Sequence, residues 1–94
     1  MKTFKEFIAE QKIGDFELDT VVKDTRYGTV NVYMFKNKGK PNEQKYWFEL
    51  GYDKSTLDAY RWDESDDDYI EDSAILKNNS KLRTAILKAA KTAK

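Results

Sequence analysis

The sequence predicts an α+β domain: a three- to four-stranded antiparallel meander with a short N-terminal helix and one or two C-terminal helices packed on one face. Two observations carry this reading. Three consecutive segments in the middle of the chain alternate apolar and polar residues with the period of two that a half-buried strand requires, and short turn-forming stretches join them. Both ends of the chain instead place apolar residues three and four apart, the spacing of one helix face.

At the start, Thr3 and Glu6 have the spacing of a capping box, in which each side chain satisfies a free backbone donor. Phe4, Phe7 and Ile8 form one apolar stripe, Lys2, Lys5 and Glu6 turn elsewhere, and Gly14 suits the helix stop. A helix of about ten residues is marginal alone, so this one is expected to dock, on its own domain or on a partner.

From Asp15 the period changes. Phe16, Leu18, Thr20 and Val22 alternate with Glu17, Asp19, Val21 and Lys23, predicting a first strand. Asp24 to Gly28 is a turn in which Gly28 is free to take positive φ. A second strand over Thr29 to Lys36 sets Val30, Val32 and Met34 against Tyr33 and Phe35. The stretch from Asn37 to Asn42 holds Gly39 and the single proline, Pro41, and is the strongest turn in the chain. The third strand, Lys45 to Tyr52, puts Tyr46, Phe48, Leu50 and Tyr52 on one face and Trp47 and Glu49 on the other. If helices cover one side of the sheet, Trp47 joins Tyr33 and Phe35 in an exposed aromatic patch on the other, which invites a partner. Thr56 to Trp62 is open to a fourth strand or a helical turn, and the strand is preferred because Tyr60 and Trp62 favour extended backbone.

The composition then shifts. Asp58 to Asp72 carries eight acids against the one base Arg61, and Lys77 to Lys94 carries six bases and no acid. Ser65 as an N-cap, with Asp66, Asp67 and Asp68 in the first turn, would start a helix continued by Tyr69, Ile70, Ala74 and Lys77. Asn78 and Asn79 break it, and Ser80 caps a second helix with Leu82, Ala85, Ile86, Ala89 and Ala93 inward and Lys81, Lys88, Lys91 and Lys94 outward. The functional reading of the acidic block is a protein-recognition surface. Asp63, Glu64, Asp66, Asp67, Asp68, Glu71 and Asp72 present carboxylates in place of DNA phosphates, and Tyr60, Trp62 and Tyr69 act as anchors. For the basic helix the alternative to a solvated face is DNA contact by Lys81, Lys88 and Lys91, salt-sensitive and indifferent to sequence.

Chemistry is narrowed by what is missing. The 94 residues contain no cysteine and no histidine, which excludes disulfides, thiolate metal sites, histidine-based zinc and serine or cysteine triads. A calcium loop begun at Asp63 would place Asp68 where glycine is needed and Ala74 where glutamate is needed. No cofactor is expected, and a binding protein is expected rather than an enzyme. Seventeen bases cancel seventeen acids, and the apolar runs are far too short for a membrane span.

The opening stretch carries one further signal. Met1-Lys2-Thr3-Phe4, followed by Glu6-Phe7-Ile8-Ala9-Glu10, resembles the capsid-targeting leader of the internal head proteins of T-even-type bacteriophages. In that family the leader runs Met-Lys-Thr-aromatic-x-Glu-Phe-Ile-x-Glu. Ile8-Ala9-Glu10 is similar to the site cut by the phage prohead protease, which implies cleavage between Glu10 and Gln11. The likeness ends at Glu10. It implies that residues 1–10 are a removable leader ahead of a single domain of residues 11–94, with the prohead scaffold and protease as partners of Lys2, Thr3, Phe4, Glu6, Phe7 and Ile8. It further implies packaging inside the phage head, injection with the DNA, and action in the host cytoplasm by inhibiting a defence nuclease of the restriction type. A DNA-associated packaging protein and a host-takeover interaction protein are the alternatives.

Overall fold

In the computed structural model, residues 13–53 and 55–93 are described, and the leader, with its expected helix and cleavage site, lies outside them. Five strands form one antiparallel sheet: β1 (Phe16–Asp24), β2 (Thr29–Lys36), β3 (Gln44–Gly51), β4 (Leu57–Asp63) and β5 (Asp68–Glu71). They lie side by side in chain order, so the meander is observed with one strand more than expected. A 3-10 turn, Ser73–Leu76, follows, and then the helix α1, Ser80–Ala90.

Alternation places Val32, Met34, Tyr46, Phe48 and Ala59 on the face that α1 covers with Leu82, Ile86 and Ala89. Phe16 and Leu76 close the two ends of this core. Phe48, Val32, Leu82, Ile86 and Ala89 have no measurable exposure, so this layer holds most of the apolar surface the domain removes from water.

Five expectations are corrected. In β1, Leu18 pairs with Met34 but Thr20 pairs with Tyr33, so Asp19 is an extra residue in a β-bulge. The bulge reverses the parity of everything after it. Val21 therefore packs on the core while Val22 is 46% exposed, the opposite of the sequence pattern.

The acidic block does not open a helix at Ser65. It forms the connection of a β4–β5 hairpin, with Asp63 opposite Asp68 and Trp62 opposite Tyr69. Two local facts decide this. The Asp63 carboxylate accepts from both the backbone N–H and the hydroxyl of Ser65, which makes a turn, and Asp67 takes a left-handed conformation with φ of 51°. A left-handed residue cannot continue a right-handed helix. Tyr69 and Ile70 then lie in β5, and Ala74 falls in the 3-10 turn.

The helix cap is Asn79, whose side chain accepts from the Leu82 backbone N–H at 3.2 Å, and Ser80 is the first helical residue. The helix ends at Ala90, so Ala93 lies beyond its apolar stripe. The third strand likewise stops at Gly51, leaving Tyr52 45% exposed outside the core.

Candidate functional interface

The face of the sheet turned away from α1 is built from the alternate residues of the same strands. The register arranges them in rows across the sheet. The central row runs Thr20, Tyr33, Trp47, Tyr60, Glu71. Beside it on one side lie Val22, Asn31, Glu49 and Asp58, and on the other Glu17, Phe35 and Lys45, with Trp62 and Tyr69 continuing towards the β5 edge. Rows in register are two residues apart, about 7 Å along the strands.

The aromatic rings of this face touch one another. Tyr33 stacks on Trp47 with centroids 6.3 Å apart, and Trp47 stacks on Tyr60 at 4.5 Å. Tyr69 meets Trp47 edge-on at 5.6 Å and Trp62 at 5.1 Å, which draws the β5 edge in towards the centre. All five rings are half-buried. The indole of Trp47 is fixed from the neighbouring row: its Nε1–H donates to Oδ1 of Asn31 at 3.0 Å, and Asn31 is only 8% exposed. A buried amide that orients an aromatic ring holds the strip in one arrangement.

Carboxylates surround the strip. Glu49 sits directly opposite Asp58, and Glu71 pairs with Tyr60. Among the described residues, no base lies within ion-pair distance of any of the three. Their field is felt by the phenols. Burial pushes the Tyr60 hydroxyl above its ordinary 10.0, and Asp58, Glu49 and Glu71 add to the rise. Tyr33 is raised by burial, then by Asp24 and Glu49, and Tyr69 by burial, then by Tyr33 and Asp19. Of the described residues that the register assigns to this face, Lys45 is the one base.

The residues marked out by sequence divide into three groups. Tyr60, Trp62, Tyr69 and Glu71 belong to this open face and join Trp47 and Tyr33 in a single surface. Glu64, Asp66 and Asp67 lie exposed in the β4–β5 connection next to it, with Asp63 occupied in holding the turn. Ser65 keeps the Asp63 carboxyl below its ordinary 3.8, first through its hydroxyl and then through its backbone N–H. Asp68 accepts from the neighbouring Tyr69 N–H at 2.7 Å. Asp72 is turned to the other side, where its carboxylate pairs with Arg61 at 3.6 Å and accepts from the Tyr46 hydroxyl at 3.4 Å. It braces the helix side of the sheet and stands apart from the aromatic strip.

Lys81 and Lys88 are exposed on α1 and Lys91 is exposed just after its end, with no ion-pair partner among the described residues, on the side of the sheet away from the aromatic strip. A cleft of about 520 Å³ lies at one end of the sheet, where Lys36, Lys45 and Arg61 mingle with Glu43, Asp63 and Glu64. Its mixed charge selects no single class of ligand.

Sequence reasoning set Glu49 on the same face as Trp47 but did not name Asn31, Glu49 or Asp58 as site residues. One signal was present: an asparagine between Val30 and Val32 in a strand is unusual, because its amide favours turns. Compared with known protein families, curated proteins and solved structures, the chain matches none.

Proposed function

We propose that the chain is an internal head protein of a T-even-type phage, carried into the host with the DNA, where it inhibits a defence nuclease of the restriction type by binding it. The observation that carries the inhibitor reading is the open face: a fixed aromatic strip, Tyr33–Trp47–Tyr60 with Tyr69 and Trp62, beside carboxylates that meet no base among the described residues. Aromatic side chains supply contact area at low entropic cost, and an acidic rim both speeds docking on a cleft built for DNA and turns nucleic acid away. Glu64, Asp66 and Asp67 extend the acidic surface at one end. The leader resemblance supplies the route: it addresses the chain to the prohead, where cleavage after Glu10 releases residues 11–94.

Two measurements test this. Cleavage of phage DNA by a host extract is expected to fall as purified residues 11–94 are added in stoichiometric amounts, and to recover with Trp47→Ala. Unchanged cleavage at excess protein overturns the inhibitor reading. Prohead protease is expected to release an N-terminal decapeptide from the full chain, and a chain left whole overturns the packaging reading. The second reading, a DNA-associated head protein, is favoured by the exposure of Lys81, Lys88 and Lys91. It requires salt-dependent retention on DNA that is lost when the three are changed to Gln.

A further inference from the structure

One flank of α1 is open where it faces the start of the described chain. A groove of about 290 Å³ lies between Ile13 and the helix, lined by Ser80, Lys81, Thr84, Ala85 and Lys88. These five stand one and three residues apart in turn, so they make a continuous seam about 12 Å long on α1. Ile13 is half-buried and Ala85 is 9% exposed, while Thr84 and the two lysines are open to solvent.

The backbone at Ile13 sets the direction from which the groove is reached. Ile13 and Phe16 exchange two hydrogen bonds, of 2.9 and 2.7 Å, across a tight turn in which Gly14 takes a φ of 53°. Because this bridge is antiparallel, the chain that enters Ile13 comes from the direction in which β1 advances. α1 follows the same line. It starts beside Ile13 and ends towards Lys23, where Ala90 and Ala93 share a second hollow with Lys23 and Val30.

We propose that the occupant of this groove is the chain's own N-terminal segment, with Phe4, Phe7 and Ile8 laid against Ile13, Thr84 and Ala85, antiparallel to α1. The entry direction at Ile13 delivers residues 1–12 to the groove already aligned with it. Length agrees, since residues 3–10 as a helix span about 12 Å, the length of the seam. The spacing i, i+3, i+4 of Phe4, Phe7 and Ile8 is that of an amphipathic helix anchored in an apolar groove. Charge agrees as well: the antiparallel course brings Glu10 towards Lys81 and Glu6 towards Lys88. A shallow groove suffices, because a tethered segment is held at high effective concentration. A second copy of α1 in the same place would set lysines against lysines. The docked state belongs to the uncut chain, and on the proposed function cleavage after Glu10 uncovers this flank.

The full chain has no cysteine, so Lys5→Cys carries a spin label at a single point, aside from the apolar stripe. The amide resonances of Thr84, Ala85 and Lys88 are expected to broaden, while those of Asn31, Glu49 and Asp58 stay sharp. Phe7→Asp is expected to abolish the broadening. Broadening that spares α1, or that survives Phe7→Asp, overturns the proposal. So does equal broadening of an isotope-labelled chain mixed with the spin-labelled one, which assigns the groove to a second copy. Hydrogen exchange tests the charges without a label. Lys81→Glu is expected to speed exchange of the residue 4–10 amides about threefold, and adding Glu10→Lys to restore it. Exchange of those amides at the rate of an unstructured peptide in the unaltered chain overturns the docking, whatever becomes of the nuclease assay.

Discussion

The two faces of this sheet come from alternate residues of the same strands, yet they obey different rules. Phe48 points to the helix side and is wholly removed from water, while its neighbour Trp47 points to the other and stays half-buried. The helix face is aliphatic and aromatic, closed by Leu82, Ile86 and Ala89 from α1. Its polar contacts sit at the margin, where Tyr46 donates to Asp72. The open face is aromatic and anionic, with one buried amide, Asn31, supporting its central ring. The first face excludes water, while the second leaves its rings half-buried beside carboxylates. On the proposed function, a residue's contribution to stability and its contribution to binding separate by the face it occupies.

The sharpest way to break this comparison is to truncate adjacent residues of β3. Phe48→Ala is expected to lose about 3–5 kcal/mol in urea denaturation, because the covered layer cannot collapse around the void. Trp47→Ala is expected to lose less, about 1–2 kcal/mol, since it gives up stacking and half its burial, while partner binding disappears. Equal losses would show that the open face is a second core. A smaller effect tests the joint between helix and sheet. Asn79→Ala is expected to lose about 1 kcal/mol and Ser80→Ala close to nothing, measured by thermal melting, because Asn79 holds the Leu82 N–H.

Alkaline titration probes both faces at once. Burial raises the phenol of Tyr46 on the helix side and those of Tyr33, Tyr60 and Tyr69 on the open side above 10.0. Below that value folded and unfolded chains hold the same protons, so this stability is fully present. Above it the unfolded chain releases protons first, and stability falls until the pH passes the folded values. A urea midpoint lower at about pH 11 than at about pH 8, with part of the fall removed by Tyr46→Phe, is the expected result. An unchanged midpoint would show that the phenols are freely solvated. The smallest expected change has the opposite sign. Glu49→Gln relieves the pairing with Asp58 and is expected to stabilise the domain by a few tenths of a kcal/mol. A loss of stability would mean that this pair serves the fold.

Much of the architecture was legible residue by residue. The second strand follows its alternation from Thr29 to Lys36, and the turn at Gly28 takes the positive φ of 65° that its glycine allows. The helix stripe Leu82, Ala85, Ile86 and Ala89 is buried as its spacing demands. The failures share a cause. The bulge at Asp19 has no local signature, because an extra residue is defined only against the strand it pairs with. The acidic stretch satisfied the rules for a helix start, but the pairing of Trp62 with Tyr69 and the edge-on contact between their rings belong to a hairpin.

The sequence by itself determined the α+β class, the meander, the helix stripe and the absence of cysteine and histidine chemistry, since these follow from composition and from periods of two and 3.6 residues. It also determined that Tyr33, Phe35 and Trp47 oppose the core residues beside them. Only the tertiary structure decided that Trp47 meets Tyr60 and Tyr69, that its indole N–H reaches Asn31, and that Asp58 faces Glu49 while Asp72 turns away to Arg61. Those neighbours are set by strand register, and register comes from closing the whole sheet under one helix.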